Sequence, residues 1–514
     1  MNIKASTGKI FDTMHVLPPR QNKIIAKPLF LYMKRLQYFI FAIAAALAII
    51  NTACIEDSFT TSSSDILSFS VDTLAFDTVI TEAGTPTKQF IVYNRNKKML
   101  NISSITLAGN DGGIFYLNVD GMKGESFSNV EVRGEDSIYV FVEAYVNPTG
   151  QDLPLEIEDR LDFVTNGVTQ SVVITAWGQD VTRMHAPTIN ADTHFKAGKP
   201  YLVFDTLTIA ENVTLTLDAG TTILFHDKSG MKIHGTLLAN GTQDAPVTLR
   251  GDRLDNVVGG IDYDIMSGQW GGIRFMPSSF GNEMQYVSMR GSSSGVEIDS
   301  AGIDRMKLHI FNSVLHNSSS SVLKARHAWI EAEGSEFSDA AEAVVSIHGG
   351  ITRFAQCTLA NYYLFDAITG PILDLYYLLP EESQGATPLM DARFDNCILY
   401  GNTSDISPGD LTGSNVFLRN CLLRSNGSDD ANFINCKWDA DPKFFTVREE
   451  YLFDYRLKNE SDAISAGDPS LCPDNATVDM YGVSRFSHDG IDIGAYTWVE
   501  QVEEDEDAAT SEVQ

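Results

Sequence analysis

The sequence predicts an all-β chain: an N-terminal β-sandwich, then a right-handed parallel β-helix solenoid with a C-terminal cap. Three observations lead there. First, a pattern returns between Leu308 and Asn426, as Ile310-Phe-Asn-Ser313, Phe354-Ala-Gln-Cys357, Phe394-Asp-Asn-Cys397 and Leu418-Arg-Asn-Cys421. Its anchors Ser313, Ser335 and Cys357 are 22 residues apart, Cys397 follows after 40 and Cys421 after 24, a period that marks a solenoid. Second, each unit alternates small or apolar with polar residues, as a strand with one face in a core must, which excludes helical repeats. Third, the stretch from Ile66 to about Asp180 holds some seven short apolar runs bounded by Gly, Asn and Asp, without helical period.

Taken in order, the chain opens on a leader spanning residues 1–53. Met33-Lys34-Arg35 supplies a start and a positive region, Leu36 to Ile50 an apolar run of 15 residues, and Asn51-Thr52-Ala53-Cys54 a small-residue cleavage site. The run is too short to span a membrane. It resembles the signal of bacterial lipoproteins, with Asn51 standing where Leu is usual, and translation is expected to begin at Met33. The resemblance implies cleavage before Cys54, lipidation of that residue, and membrane attachment through several acyl chains. Ile55-Glu56-Asp57 resembles the surface-export signal of Bacteroidetes lipoproteins. It implies the outer membrane and the cell surface, with the periplasmic face as the alternative. Residues 54–65 form a polar tether.

Residues 66–182 are assigned to the sandwich, with strands at Ile66 to Val71, Thr87 to Tyr93, Leu100 to Leu107, Ile114 to Val119, Ser137 to Tyr145, Arg160 to Val164 and Gln170 to Trp177. The order Phe90-Ile-Val-Tyr-Asn94, Asp136-Ser-Ile-Tyr-Val140, Asp162-Phe-Val-Thr-Asn-Gly167 and Ala176-Trp-Gly-Gln-Asp180 resembles immunoglobulin-like domains of the Hydin and abnormal-spindle group. That implies a spacer or interaction module and no chemistry.

The solenoid occupies residues 183–445, its coils legible from Tyr201. Ser313, Ser335, Cys357, Cys397 and Cys421 are expected to stack inward. Asn317, Asn361, Asn402 and Asn426 are expected at a corner, where Asn tolerates left-handed backbone. Gly235-Thr-Leu-Leu-Ala-Asn-Gly241 and Gln269-Trp-Gly-Gly-Ile-Arg-Phe275 are similar to coils of secreted bacterial β-helix proteins of the pectin-lyase-like kind. Between them lies an excursion in which Arg253, Asp262, Tyr263, Asp264 and Trp270 can line a carbohydrate cleft, with carboxylates on hydroxyls and the indole on a sugar face. The competing reading is a loop whose charges pair with one another. An insertion at residues 362–390 brings Tyr362, Tyr363, Phe365, Tyr376 and Tyr377, either as a glycan platform or packed on the coils.

Catalysis on this fold needs calcium-binding acids with a base, or paired carboxylates. Asp429-Asp430 and His348-Gly349-Gly350 are present, but not the Asn-Asp, Gly-His-Gly and Arg-Lys series of polygalacturonases, so no catalytic residue is assigned. No metal or cofactor is expected, with calcium reserved for the enzymatic reading.

Residues 446–497, with Asp439-Ala-Asp-Pro-Lys-Phe444 before them and Asp489-Gly-Ile-Asp-Ile-Gly-Ala495 at their end, resemble the cap of β-helix proteins with a choice-of-anchor Q region. Residues 498–514 form an acidic tail. The net charge of −31 becomes −37 without residues 1–53, which carry seven Lys and Arg and one acid. Such a chain repels phosphate backbones, so nucleic acid is not an expected partner. Six widely spaced cysteines offer no compact metal motif. They read as buried thiols, with Cys436 and Cys472 the first pair to consider for a disulfide. The resulting expectation is a lipid-anchored envelope protein whose β-helix binds glycan. A polysaccharide lyase or glycoside hydrolase, and a structural or adhesive protein, are the alternatives, and oligomeric state is left open.

Overall fold

The computed structural model describes residues 58–109, 114–256, 261–376, 388–407 and 413–502. Cys54, the whole leader, Tyr377 and most of the acidic tail lie outside the described residues.

The first domain is a two-sheet β-sandwich. One sheet is five-stranded and the other six-stranded. In Asp136–Ala144 and Lys88–Asn94 alternate residues are buried, so Phe90, Val92, Ile138, Val140 and Val142 meet Leu74, Phe76, Phe163 and Ile174 from the facing sheet in one core. The long hairpin Leu155–Thr165 and Val168–Gln179 turns at Asn166-Gly167, both at positive φ (52° and 77°), as a two-residue hairpin turn requires. Sequence reading missed the long strand Thr73–Ile80, which pairs in parallel with Val168–Gln179, and the short strands Met122–Gly124, Ser126–Phe127 and Val130–Val132.

The rest of the chain winds as a parallel β-helix. Its first face is a ten-stranded sheet, and the other two faces share a 17-stranded sheet. The opening coil begins with Thr182–His185, which pairs with Tyr201–Phe204, one coil before the first legible repeat. In-register stacking builds columns through the core. One runs Leu207, Met231, Ile273, Val296, Leu323, Val345, Leu373. Each of these is at most 2 % exposed, and each contributes about 1.5–3 kcal/mol by leaving water. The solenoid meets the sandwich through Ile80, Leu202 and Leu224 and through Arg183, which reaches Glu82 at 3.0 Å.

The corner between third and first faces differs from expectation. Ser313, Cys357, Cys397 and Cys421 do point inward and are buried, and Ser335 Oγ accepts from Ser313 N. The left-handed residue, however, immediately precedes each anchor: Asn312, Gly334, Gln356, Asn396, Asn420 and Asn435 all have φ between 44° and 59°. Of the four asparagines expected at the bend, Asn317 alone adopts positive φ (65°), while Asn361 bonds between coils to Ala340. Cys357, Cys397, Cys421, Cys436 and Cys472 are free thiols, with Cys436 and Cys472 unjoined.

The C-terminal segment departs further. The open end of the last coil is closed by Phe433 and Trp438, whose rings lie 5.0 Å apart. Residues 446–497 instead run back along the first face. Asn396 donates to Asp468 O, Gln356 to Asp492 O, and Gln243 to Tyr481 O. The physical reason is that this face is apolar on both sides. Ala360, Ile398 and Leu422 point outward and are covered by Phe444, Leu457, Ile493 and Ala495, so the segment acts as a strap along the flank. Its own fold is pinned by the buried Arg485, which donates to the carbonyls of Ala476, Gly494 and Ala495 at 3.0, 3.1 and 2.8 Å.

Candidate functional site

The excursion singled out from sequence pairs its charges internally. Arg253 bonds both oxygens of Asp255 at 2.6 Å and lies over the ring of Tyr263 at 4.0 Å. Asp264 reaches Arg250 at 3.4 Å, and the exposed Asp262 precedes a single turn of 3-10 helix, Tyr263–Ile265. Trp270 cannot serve as a sugar platform. It is fully buried, stacked on Phe225 at 4.3 Å, and its Nε1 donates to Arg290 O at 2.8 Å. A large apolar indole that also finds a partner for its N–H gains more inside the coil than on the surface. Arg253 and Asp255 instead border a cleft of about 220 Å³ against Phe76 and Lys88 of the sandwich.

The insertion aromatics also pack. Tyr363 is buried, with its Oη 2.5 Å from Ser267 Oγ, and Tyr362 lies against Tyr455. Asp429 is occupied by Trp438 Nε1 and Cys436 N, and Asp430 accepts from the backbone of Asn432 and Phe433, so both serve the terminal turn.

What distinguishes the solenoid surface is a contrast between two faces. On the third face the charges neutralise each other: Arg353 meets Glu331 at 2.9 Å and Asp391 at 2.8 Å, Arg393 meets Asp391 at 2.6 Å, and Arg419 meets Asp395 at 2.5 Å. On the second face the winding aligns Lys232, Arg274, Glu297, Lys324, Ser346 and Asp374 in one outward row. Beside it runs a shorter row of Arg326, His348 and Tyr376. Arg274 is paired with Asp299. Lys232, Lys324 and Arg326 form no ion pair or hydrogen bond among the described residues.

At the end of these rows Ser346 Oγ donates to Asp374 Oδ2 at 3.2 Å and lies 3.1 Å from His348 Nε2. With the serine proton directed to the carboxylate, His348 donates through Nε2, which leaves Nδ1 as a bare lone pair. His348 Nδ1 and Asp374 Oδ1 are both buried atoms without a partner among the described residues. Burial, with Lys324 and Arg326 nearby, pushes the imidazole down to about 4, so it stays neutral at pH 7. Burial raises Asp374 above the usual carboxylate range, against hydrogen bonds from Ser346 and Tyr376. Among the described residues no three His, Cys, Asp or Glu side chains converge as a metal site. Sequence reading noted His348 alone.

No family model matches the chain, and no curated protein matches it in sequence. Among solved structures it is similar to the catalytic unit of a thermostable GH87 alpha-1,3-glucanase from Streptomyces thermodiastaticus strain HF3-3. The identity is 10 % over 68 % of this chain and 72 % of that one, with a TM-score of 0.26. It is similar also to the Agl-KA catalytic domain, at 9 % identity over 69 % and 91 % of the two chains, with a TM-score of 0.21. At these values the likeness assigns no residue a role.

Proposed function

We propose that this protein is lipid-anchored at the cell envelope through Cys54 and that its β-helix binds an anionic polysaccharide along the second face. One observation carries the ligand: a chain of net charge −31 gathers the unpaired cations Lys232, Lys324 and Arg326 on one flat, regular face beside a neutral imidazole. Carboxylates of a polyuronate spaced along an extended strand match cations spaced along coils. The leader and its cysteine support the anchor.

Affinity electrophoresis of the detergent-extracted protein in gels containing polygalacturonate tests the ligand. Retardation that weakens with salt is expected, as is a loss of roughly a hundredfold or more in affinity for Lys324→Ala/Arg326→Ala, from two charge-assisted contacts of about 1.5 kcal/mol or more each. Equal migration of wild type and variant refutes the assignment. Incorporation of a labelled fatty acid that disappears in Cys54→Ala tests the anchor.

A further inference from the structure

The sandwich, read from sequence as a spacer without chemistry, carries a surface of its own. Its five-stranded sheet buries one side in the core and leaves the other open. On that outer side, neighbouring strands place Tyr116 opposite Glu143, Asn118 opposite Phe141, and Ile91 opposite Tyr139. Tyr116 is 53 % exposed and Tyr139 45 %. The rings of Tyr139 and Phe141 are nearly parallel, with centroids 6.1 Å apart and planes inclined by 22°. An exposed aromatic cluster of this kind on a strand-built face marks a binding surface rather than a folding requirement.

The surroundings indicate what it binds. Tyr116, Asn118, Lys123, Phe141, Glu143 and Thr87 line an open groove of about 740 Å³. Asn118 Oδ1 is a buried acceptor without a partner among the described residues. The Asn118 side chain stands between Phe141 on one neighbouring strand and Lys123 on the other. Thr87 Oγ1 donates to Glu143 Oε1 at 2.7 Å, which fixes an acceptor at the lip. The groove thus combines flat rings, which complement the C–H faces of a pyranose, with an amide, a carboxylate and an ammonium that complement its hydroxyls. Lys123 faces two carboxylates in this lining, Glu125 and Glu143, so the groove disfavours an anionic ligand. The other sheet of the sandwich occupies part of its outer face with the Arg160–Asp162 pair at 2.7 Å, joined by Ser171.

We infer that the outer face of this sheet, around Tyr116, Asn118 and Phe141, is a second saccharide-binding site, and that its ligand is a neutral glycan. It does not rest on the anionic-ligand reading of the solenoid, and the two sites are separable by ligand and by mutation.

The experiment is affinity electrophoresis of the detergent-extracted full chain in gels containing neutral α-glucan, β-glucan, mannan or xylan, run beside polygalacturonate, with sedimentation velocity on the same samples. Wild type is expected to be retarded by at least one neutral polymer. Tyr116→Ala/Phe141→Ala should lose at least tenfold in that affinity and retain the thermal midpoint of the solenoid. Asn118→Ala, which leaves the rings in place, should weaken it less, and Lys324→Ala/Arg326→Ala should leave it unchanged. The inference is overturned if no neutral polymer retards wild type or if the aromatic double variant binds as wild type does. It is also overturned if sedimentation shows a dimer that Tyr116→Ala/Phe141→Ala dissolves, since the occupant is then a second copy of the chain.

Discussion

Asp339 lies beneath the C-terminal strap, and replacing it with asparagine gives the protein a measurable change in pH dependence. The carboxyl is 1 % exposed. Its Oδ2 accepts from Tyr455 Oη at 2.6 Å, its Oδ1 accepts from Tyr362 N at 2.6 Å, and His316 Nδ1 stands 3.3 Å from Oδ2. Burial pushes it up to about 7, against the bonds from Tyr455 and Tyr362 and the charge of Arg448, and with the charge of Glu336. An unfolded aspartate titrates near 3.9. Between about pH 4 and pH 7 the unfolded chain therefore releases a proton that the folded chain keeps. This contribution to stability is whole below pH 4, falls as pH rises, and is flat again above about 7. At about 1.4 kcal/mol per pH unit the loss comes to about 4 kcal/mol. His316, held neutral by burial, acts with opposite sign below pH 6.5, but it is present in both proteins and cancels in the difference. Urea unfolding of wild type and Asp339→Asn, followed by circular dichroism from pH 4.5 to pH 8, should give a difference that moves against wild type by several kcal/mol as pH rises. A difference that is level, or that favours wild type at high pH, would mean that Asp339 is ionised beneath the strap and would refute the reasoning.

Trp270→Ala should cost about 3–5 kcal/mol by leaving a cavity against Phe225, with polysaccharide affinity unchanged once the protein is folded; a variant of wild-type stability would contradict its place in the core. Thiol titration of the native protein should find the half-buried Cys436 and Cys472 reacting slowly, since their surroundings hold both thiols protonated, and the fully buried Cys357, Cys397 and Cys421 silent until denaturant is added. Early reaction of all five would show that the coil stack is not closed. Asn420 has φ 52°, so Asn420→Ala should lose about 1 kcal/mol while Asn420→Gly is close to neutral, read as the shift in thermal midpoint.

Much of the fold was legible because a solenoid repeats its packing problem. The apolar column from Leu207 to Leu373 is visible as alternation in each coil, and Ser313, Cys357, Cys397 and Cys421 mark the place where only a small side chain fits. The strand Thr73–Ile80 was passed over because Asp72 and Asp77 break its apolar run, although Leu74 and Phe76 alternate as a half-buried strand should. The segment expected as an end cap is a strap because Ile398 and Leu422 point outward and need cover. Two consecutive apolar residues in Ile398-Leu399 and Leu422-Leu423 are what a strand buried on both faces looks like. The second-face row was harder. Lys324, Ser346 and Asp374 come together only through register across coils, with residues 362–390 intervening before the next repeat. Laying Leu323-Lys-Ala-Arg over Val345-Ser-Ile-His and Leu373-Asp-Leu-Tyr would have found it. Trp270 was misread because a tryptophan beside charges suggests a ligand, whereas its neighbours Gly271 and Gly272 belong to a tightly wound coil.

The route of the strap makes the final residues responsible for coils synthesised long before them. Tyr481 meets Gln243 across 238 positions of chain, and Tyr455 and Tyr496 reach Asp339 and Glu336 across 116 and 160. A chain made from its N-terminus can wind its coils as they emerge, but it keeps an oily flank until synthesis reaches the strap. Prematurely terminated copies would display that flank permanently, so quality-control proteases have a ready means of telling finished molecules from fragments.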